Sequence, residues 1–179
     1  RDFIDKAGVS KRDQMIDVAL LESCIRADLN KSTYRMMAVF HPLKVVITNY
    51  PQGKTETVLA ENNPEDENAG HREMIFSREI YIEKDDFLEE CPNKIFKLGI
   101  GKEVRLKSGY IIKGEQVVKD ANGNVELRCT YDEKIKIGSG TEESKRKVQG
   151  TLHWISASHN VTAQVNVYDR LFTVESPDS

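Results

Sequence analysis

Apolar and polar residues alternate most regularly between residues 101 and 131. Val104-Arg105-Leu106-Lys107 opens the alternation, it resumes over residues 110–113, and the chain continues as strand from Gln116 to Lys119. A period of two places successive side chains on opposite faces of a sheet. Asp120-Ala121-Asn122-Gly123-Asn124 predicts the hairpin turn, because Asn-Gly adopts positive φ at little cost. Val125, Leu127 and Cys129 carry the return strand. One face of this ribbon is expected to be buried and the other to project Arg105, Lys107, Lys113 and Lys119. A sheet with one basic face suits a polyanion.

The rest of the chain divides by period. Met15, Ile16, Ala19, Leu20, Cys24 and Ile25 recur at helical spacing, so a helix is predicted from Ser10, with Asp13 as a weak capping acid and Asn30 as the stop. Its stripe should be buried. Pro42 marks the change to strand, and Leu43-Lys44-Val45-Val46-Ile47 is the first strong strand. Pro51-Gln52-Gly53 reads as a turn and residues 61–70 as an acidic loop without period. Residues 74–83 return to strand with Ile80 and Ile82 facing one way; residues 84–90 suit one or two helical turns ended by Pro92. The polar stretch 132–149, with Gly138-Ser139-Gly140, predicts a mobile hairpin loop, and residues 150–155, 161–168 and 171–174 supply the last strands. Many short strands with polar turns indicate a mainly β, closed or nearly closed antiparallel barrel behind a short helical segment. The division falls at residues 1–36 and 37–179.

Composition narrows the function. The chain has 179 residues, 39% hydrophobic and 31% charged, enough for one β-domain and a short appendage. No apolar run approaches the about 20 residues a membrane span needs. Cys24, Cys91 and Cys129 are odd in number and without a CxxC, which favours a reducing compartment over disulfides or zinc. Net charge is only −3, but its distribution is uneven. Residues 56–90 hold 12 acidic and 3 basic side chains, a net of −9, whereas residues 92–119 hold 7 basic and 2 acidic, a net of +5. The chain starts at Arg1 without methionine, and we read it as a piece of a larger protein.

Catalytic patterns are missing from the sequence. His41, His71, His153 and His159 have no metal-ligand spacing, and His153 reads as a structural histidine in a strand. A Cys129–His153 nucleophilic pair or a Ser156, Ser158, His159 group would make an unrecognised hydrolase, but no GxSxG elbow surrounds them. Asp85-Asp86 and Glu89-Glu90 read as a solvated helix face, and neither GxxxxGK[ST] nor GxGxxG occurs. No catalytic residue, metal or cofactor is expected in these residues.

Several runs resemble the C-terminal anticodon-binding region of glutaminyl-tRNA synthetases. They are Leu21-Glu22-Ser23-Cys24-Ile25-Arg26 with Asp28-Leu29-Asn30, His41-Pro42-Leu43-Lys44-Val45-Val46-Ile47, Phe76-Ser77-Arg78-Glu79-Ile80-Tyr81-Ile82-Glu83 and Gly101-Lys102-Glu103-Val104-Arg105-Leu106. Cys129-Thr130-Tyr131-Asp132, Gly150-Thr151-Leu152-His153-Trp154-Ile155-Ser156-Ala157 and Tyr168-Asp169-Arg170-Leu171-Phe172 continue the series in family order. The resemblance implies the end of a helical subdomain over residues 1–36, then a ribosomal-protein-like anticodon-binding β-barrel, with a second barrel beyond. It implies a parent class I ligase that joins glutamine to its tRNA using ATP and Mg2+, in a catalytic domain whose HIGH-like and KMSKS-like signatures do not occur here. The partner would be the anticodon loop of glutamine tRNA, with no DNA and no membrane, and the setting a cytoplasmic monomer.

Carried over by position, Arg35 corresponds to an arginine on the middle anticodon base. Arg105 and Lys107 correspond to a pair beside the first base, and Lys97 to a residue reading the third. Lysine stands at two positions where the family has arginine; it keeps the charge and gives up the planar fork. Lys97, Arg105 and Lys107 all fall in the +5 segment. Two other readings compete: the same region of a glutamyl-tRNA synthetase, and a stand-alone structural or ribosomal RNA-binding barrel, which would not need the helical leader.

Overall fold

A computed structural model describes residues 1–92, 95–119, 123, 125–136, 146, 148, 150–169, 172 and 174. The expected turn at 120–124, apart from Gly123, most of the loop at 132–149 and most of the strand at 171–174 lie outside the described residues. Among the described residues, two helices, α1 (Asp2–Ala7) and α2 (Val18–Ser32), precede nine strands. In order these are β1 (Pro42–Ile47), β2 (Thr55–Glu61), β3 (His71–Ser77), β4 (Glu79–Glu83), β5 (Glu103–Leu106), β6 (Tyr110–Lys119), β7 (Val125–Lys136), β8 (Thr151–Leu152) and β9 (Ile155–Ser156). Among the described residues no helix is long and apolar enough to cross a membrane.

The fold is mainly β, a curled half-barrel sheet behind a short helical segment. Seven strands form one sheet in the order β8-β5-β6-β7-β1-β4-β9, while β2 and β3 pair as a separate ribbon. Most pairings are antiparallel, but β1 runs parallel to β7 and β5 parallel to β8. The strand expected over 74–83 is two strands that belong to different sheets. The change occurs at Arg78, whose carbonyl accepts the Ile47 N–H at 2.9 Å and whose guanidinium donates to the Tyr50 carbonyl at 2.7 Å.

The alternation dictates the core. Leu43, Val45 and Ile47 of β1, Ile80 and Ile82 of β4, Val104 and Leu106 of β5 and Leu127 and Cys129 of β7 are all buried on one face. Five aromatic rings complete it: Phe76 meets Tyr50, Tyr110 and Trp154 with centroids 5.1–5.2 Å apart, and Tyr131 packs on Tyr50 and Tyr110 at 5.2 and 5.0 Å. Edge-on contacts of this kind add to the area they bury. Burial, helped by a hydrogen bond to Glu133, pushes the Tyr131 phenol up to about 12. Tyr110 is raised further by burial and by its short hydrogen bond to Glu56.

The helical leader departs from expectation. Helix α2 starts at Val18, not near Ser10, because Asp17 supplies the cap: its Oδ1 accepts the Ala19 N–H at 2.9 Å. Ser10 makes only a local turn, accepting from the Arg12 N–H at 3.1 Å. The helix runs on through Asn30 to Ser32. Its apolar stripe is also not buried: Met15 and Ile16 precede the helix and are 65% and 39% exposed, Ile25 is 48% exposed, and Leu20 and Cys24 are only half-buried. The spacing suits an amphipathic helix, but among the described residues none of the stripe is fully buried. Residues 84–90 supply only a short 3-10 turn, Lys84–Asp86.

Candidate nucleic-acid interface

Strand β5 delivers two of the four singled-out cations. Val104 and Leu106 enter the core, so Arg105 leaves on the opposite face and Lys107 follows at the strand end. The main chain is held on both sides: Arg105 pairs with Ile111 of β6, and its N–H donates to the Gly150 carbonyl at 2.9 Å. Lys107 N–H donates to the Leu152 carbonyl at 2.8 Å, and its own carbonyl accepts the Trp154 indole N–H at 2.9 Å. The Arg105 guanidinium donates through Nη2 to the Arg146 carbonyl at 2.7 Å. Register places both residues without help from their charges.

Lys97 follows Phe96, whose main chain comes to the same edge by a different route. Its neighbour Leu98 is buried and tied to the Asp86 carbonyl at 2.9 Å, while the Lys97 carbonyl accepts from Cys91 Sγ at 3.5 Å. A side-chain carbon on Gly150 would stand 3.0 Å from the Phe96 carbonyl. The 96–97 backbone therefore lies against the residue that receives Arg105. Among the described residues no carboxylate pairs with Lys97, Arg105 or Lys107.

The wider face is not uniformly basic. Lys113 pairs with Glu115 at 3.3 Å, Arg128 with Glu126 at 3.6 Å, Arg146 with Glu103 at 2.9 Å and Lys44 with Glu79 at 2.9 Å. The bond to Glu79 raises the Lys44 pKa. Lys119 moreover leaves the other side of the sheet from Lys113. A bulge between Gly114 and Gln116 shifts the register, so Lys113 sits opposite Thr130 but Lys119 opposite Val125, on the side of buried Leu127. Beside the bulge, a Cβ on Gly114 would come within 2.4 Å of the Gly99 carbonyl. Of the singled-out cations on the outer face, those without a carboxylate partner among the described residues lie at the narrower β5/β8 edge.

Arg35 stands in a different setting, the extended link between α2 and β1. Its N–H donates to the Asn62 carbonyl at 2.7 Å. Its Nη2 reaches Glu65 Oε1 at 2.6 Å and the Asn30 carbonyl at 3.3 Å. The acidic loop expected to be featureless builds this cage. Buried Asn63 donates to the carbonyls of Asn30 and Lys31, both at 3.1 Å, and accepts the Glu65 N–H at 2.9 Å. The signal was Asn63-Pro64, a turn-initiating pair whose side chain can cap the residue two further on. Among the described residues no contact joins Arg35 to the β5/β8 edge.

The nucleophile candidates resolve as structure. Cys129 is fully buried, and burial first, then Glu115, pushes its thiol up to about 12, so it stays protonated. Ser156 is buried and linked to Ser77 at 3.2 Å and Ser158 at 3.3 Å, with Ser158 on His159 Nδ1 at 2.8 Å. This chain of hydroxyls borders a groove of about 640 Å3 lined by Met36, Phe40, Met74, Ile155 and Val161. Among the described residues no carboxylate orients His159, and no group of three or more His, Cys, Asp or Glu could hold a metal ion.

Comparison with known proteins follows the same outline. A family model described as tRNA synthetases class I (E and Q), anti-codon binding domain, matches residues 33–132, and a second model of that description matches residues 151–179. The chain is 53% identical over 180 residues to a glutamine--tRNA ligase of Rhodopirellula baltica, covering 100% of this chain and 30% of that protein. It is 52% identical over 172 residues to the glutamine--tRNA ligase of Clostridium kluyveri, covering 96% of this chain and 31% of the relative. With that of Bradyrhizobium diazoefficiens the identity is 47% over 180 residues, 100% of this chain and 32% of the relative. The chain thus spans about a third of the length of these relatives.

Proposed function

The chain belongs to the anti-codon binding domains of class I (E and Q) tRNA synthetases, and from that premise we propose that it is the part of a glutamine–tRNA ligase that receives the anticodon loop of glutamine tRNA. The observation that carries this reading is 53% identity to a glutamine--tRNA ligase along the entire chain. The unpaired β5/β8 edge supports it in physical terms. Unstacked loop bases are read by side chains standing on a sheet, and three cations without carboxylate partners there favour RNA over a merely solvated face. In this reading Arg105 and Lys107 lie beside the first anticodon base, Arg35 at the middle base and Lys97 at the third. Residues 1–36 are the end of a helical subdomain and residues 37–179 a first barrel, with a second barrel following.

The whole protein would attach glutamine to its tRNA in the cytoplasm, as a monomer. ATP and Mg2+ would serve a catalytic domain outside these residues. The test is nuclease protection of glutamine tRNA by the purified chain and by the full-length protein. Protection of the anticodon nucleotides is the expected result. Protection confined to the acceptor end would overturn the assignment.

A further inference from the structure

We propose that Glu65 is a specificity-determining residue: it holds the Arg35 guanidinium so that this side chain serves a neutral base edge and not a phosphate. The inference rests on the anticodon reading of Arg35 given above. Three observations carry it. First, Glu65 Oε1 lies 2.6 Å from Arg35 Nη2, a charge-assisted bond that makes the pair nearly neutral as seen by an approaching RNA. Second, Glu65 is not a loose surface acid. Its N–H is fixed on Asn63 Oδ1, and Asn63 is bolted to the last turn of α2 through the Asn30 and Lys31 carbonyls. Third, Arg35 Nε is buried and makes no hydrogen bond, so Glu65 and the Asn30 carbonyl are what hold the guanidinium in place.

The surrounding charge then selects the partner. Glu61, Asp66 and Glu67 flank Glu65 in the chain, so a phosphate brought to Arg35 meets further negative charge. A base edge carries no net charge and escapes that repulsion. This separates Arg35 from Arg105, which among the described residues has no acidic partner and can serve base and phosphate alike.

Glu65→Gln in the full-length protein tests the proposal, since it keeps the shape and removes the charge of a side chain that is 47% exposed. Affinities are measured for glutamine tRNA and for the same tRNA with a swapped anticodon, over a range of salt. We expect the swapped tRNA to bind more tightly, the ratio between the two to fall about 3- to 10-fold, and the salt slope to steepen by about one phosphate contact. Equal weakening of both tRNAs at unchanged slope would reduce Glu65 to a loop staple and overturn the proposal, as would no change in either. Arg35→Ala separates the two possible failures. If discrimination survives Arg35→Ala, the anticodon reading of Arg35 falls and the proposal with it. If Arg35→Ala abolishes discrimination while Glu65→Gln leaves ratio and slope alone, only the proposal falls.

Discussion

Arg35 and Arg105 carry the same guanidinium, yet the chain holds them by opposite means. Arg105 is placed by strand register: its main chain is fixed between β6 and β8, and its side chain rests on a carbonyl. Arg35 is placed by one main-chain bond to Asn62 and by side chains, through Glu65 and through the Asn63 bonds that set Glu65. Position by register is insensitive to charge and depends on the core beneath. Position by an ion-paired cage depends little on the core and strongly on a few polar atoms. The difference predicts which substitutions disturb one arginine and leave the other in place.

The largest effect should come from beneath β5. Trp154 is fully buried, packs edge-on against Phe76 and ties down the Lys107 carbonyl. Trp154→Ala should cost about 3–5 kcal/mol in urea unfolding, through lost burial, the cavity and an orphaned carbonyl. Hydrogen exchange should show the Arg105 and Lys107 amides deprotected well before the Arg35 amide. Equal loss at all three would mean that the two settings are not independent. A smaller and complementary effect is expected at the cage. Asn63→Ala removes two donated bonds and one accepted bond from a buried site and should cost about 1–3 kcal/mol. Here the Arg35 amide should lose protection while those of Arg105 and Lys107 keep theirs. Deprotection at Lys107 would contradict the division.

What could be read from sequence follows the same line. Val104, Leu106, Ile80 and Ile82 announce the buried face because alternation is a local signal and the sheet obeys it. Arg105 was correctly placed on the outer side of β5 for that reason. Lys119 was not, because a bulge between Gly114 and Gln116 turns it to the other face, and a bulge leaves no mark in the period. Helix α2 was legible as a period but not in its start, where Asp17 outcompetes Ser10 as the cap. The Arg35–Glu65 pair joins residues 30 positions apart, and Glu65 lies in a loop whose composition gives no period at all. Neighbouring residues could be read; partners brought together by folding could not. The basic face itself was half visible, since a cation shows in sequence and its carboxylate partner does not.

The smallest effect on stability is expected at Arg105 itself, and there the central claim is most exposed. Arg105→Ala should change stability by under about 0.5 kcal/mol, because register and not the guanidinium holds β5. It should nevertheless weaken binding of glutamine tRNA by about 1–3 kcal/mol if the β5/β8 edge reads the anticodon. The decisive measurement is a titration of glutamine tRNA and an anticodon-swapped tRNA into the full-length wild type and Arg105→Ala. Tight binding in the wild-type–cognate pairing alone is the predicted outcome. Equal affinities in all four pairings, with both proteins folded, would show the edge to be a solvated surface and contradict the anticodon assignment.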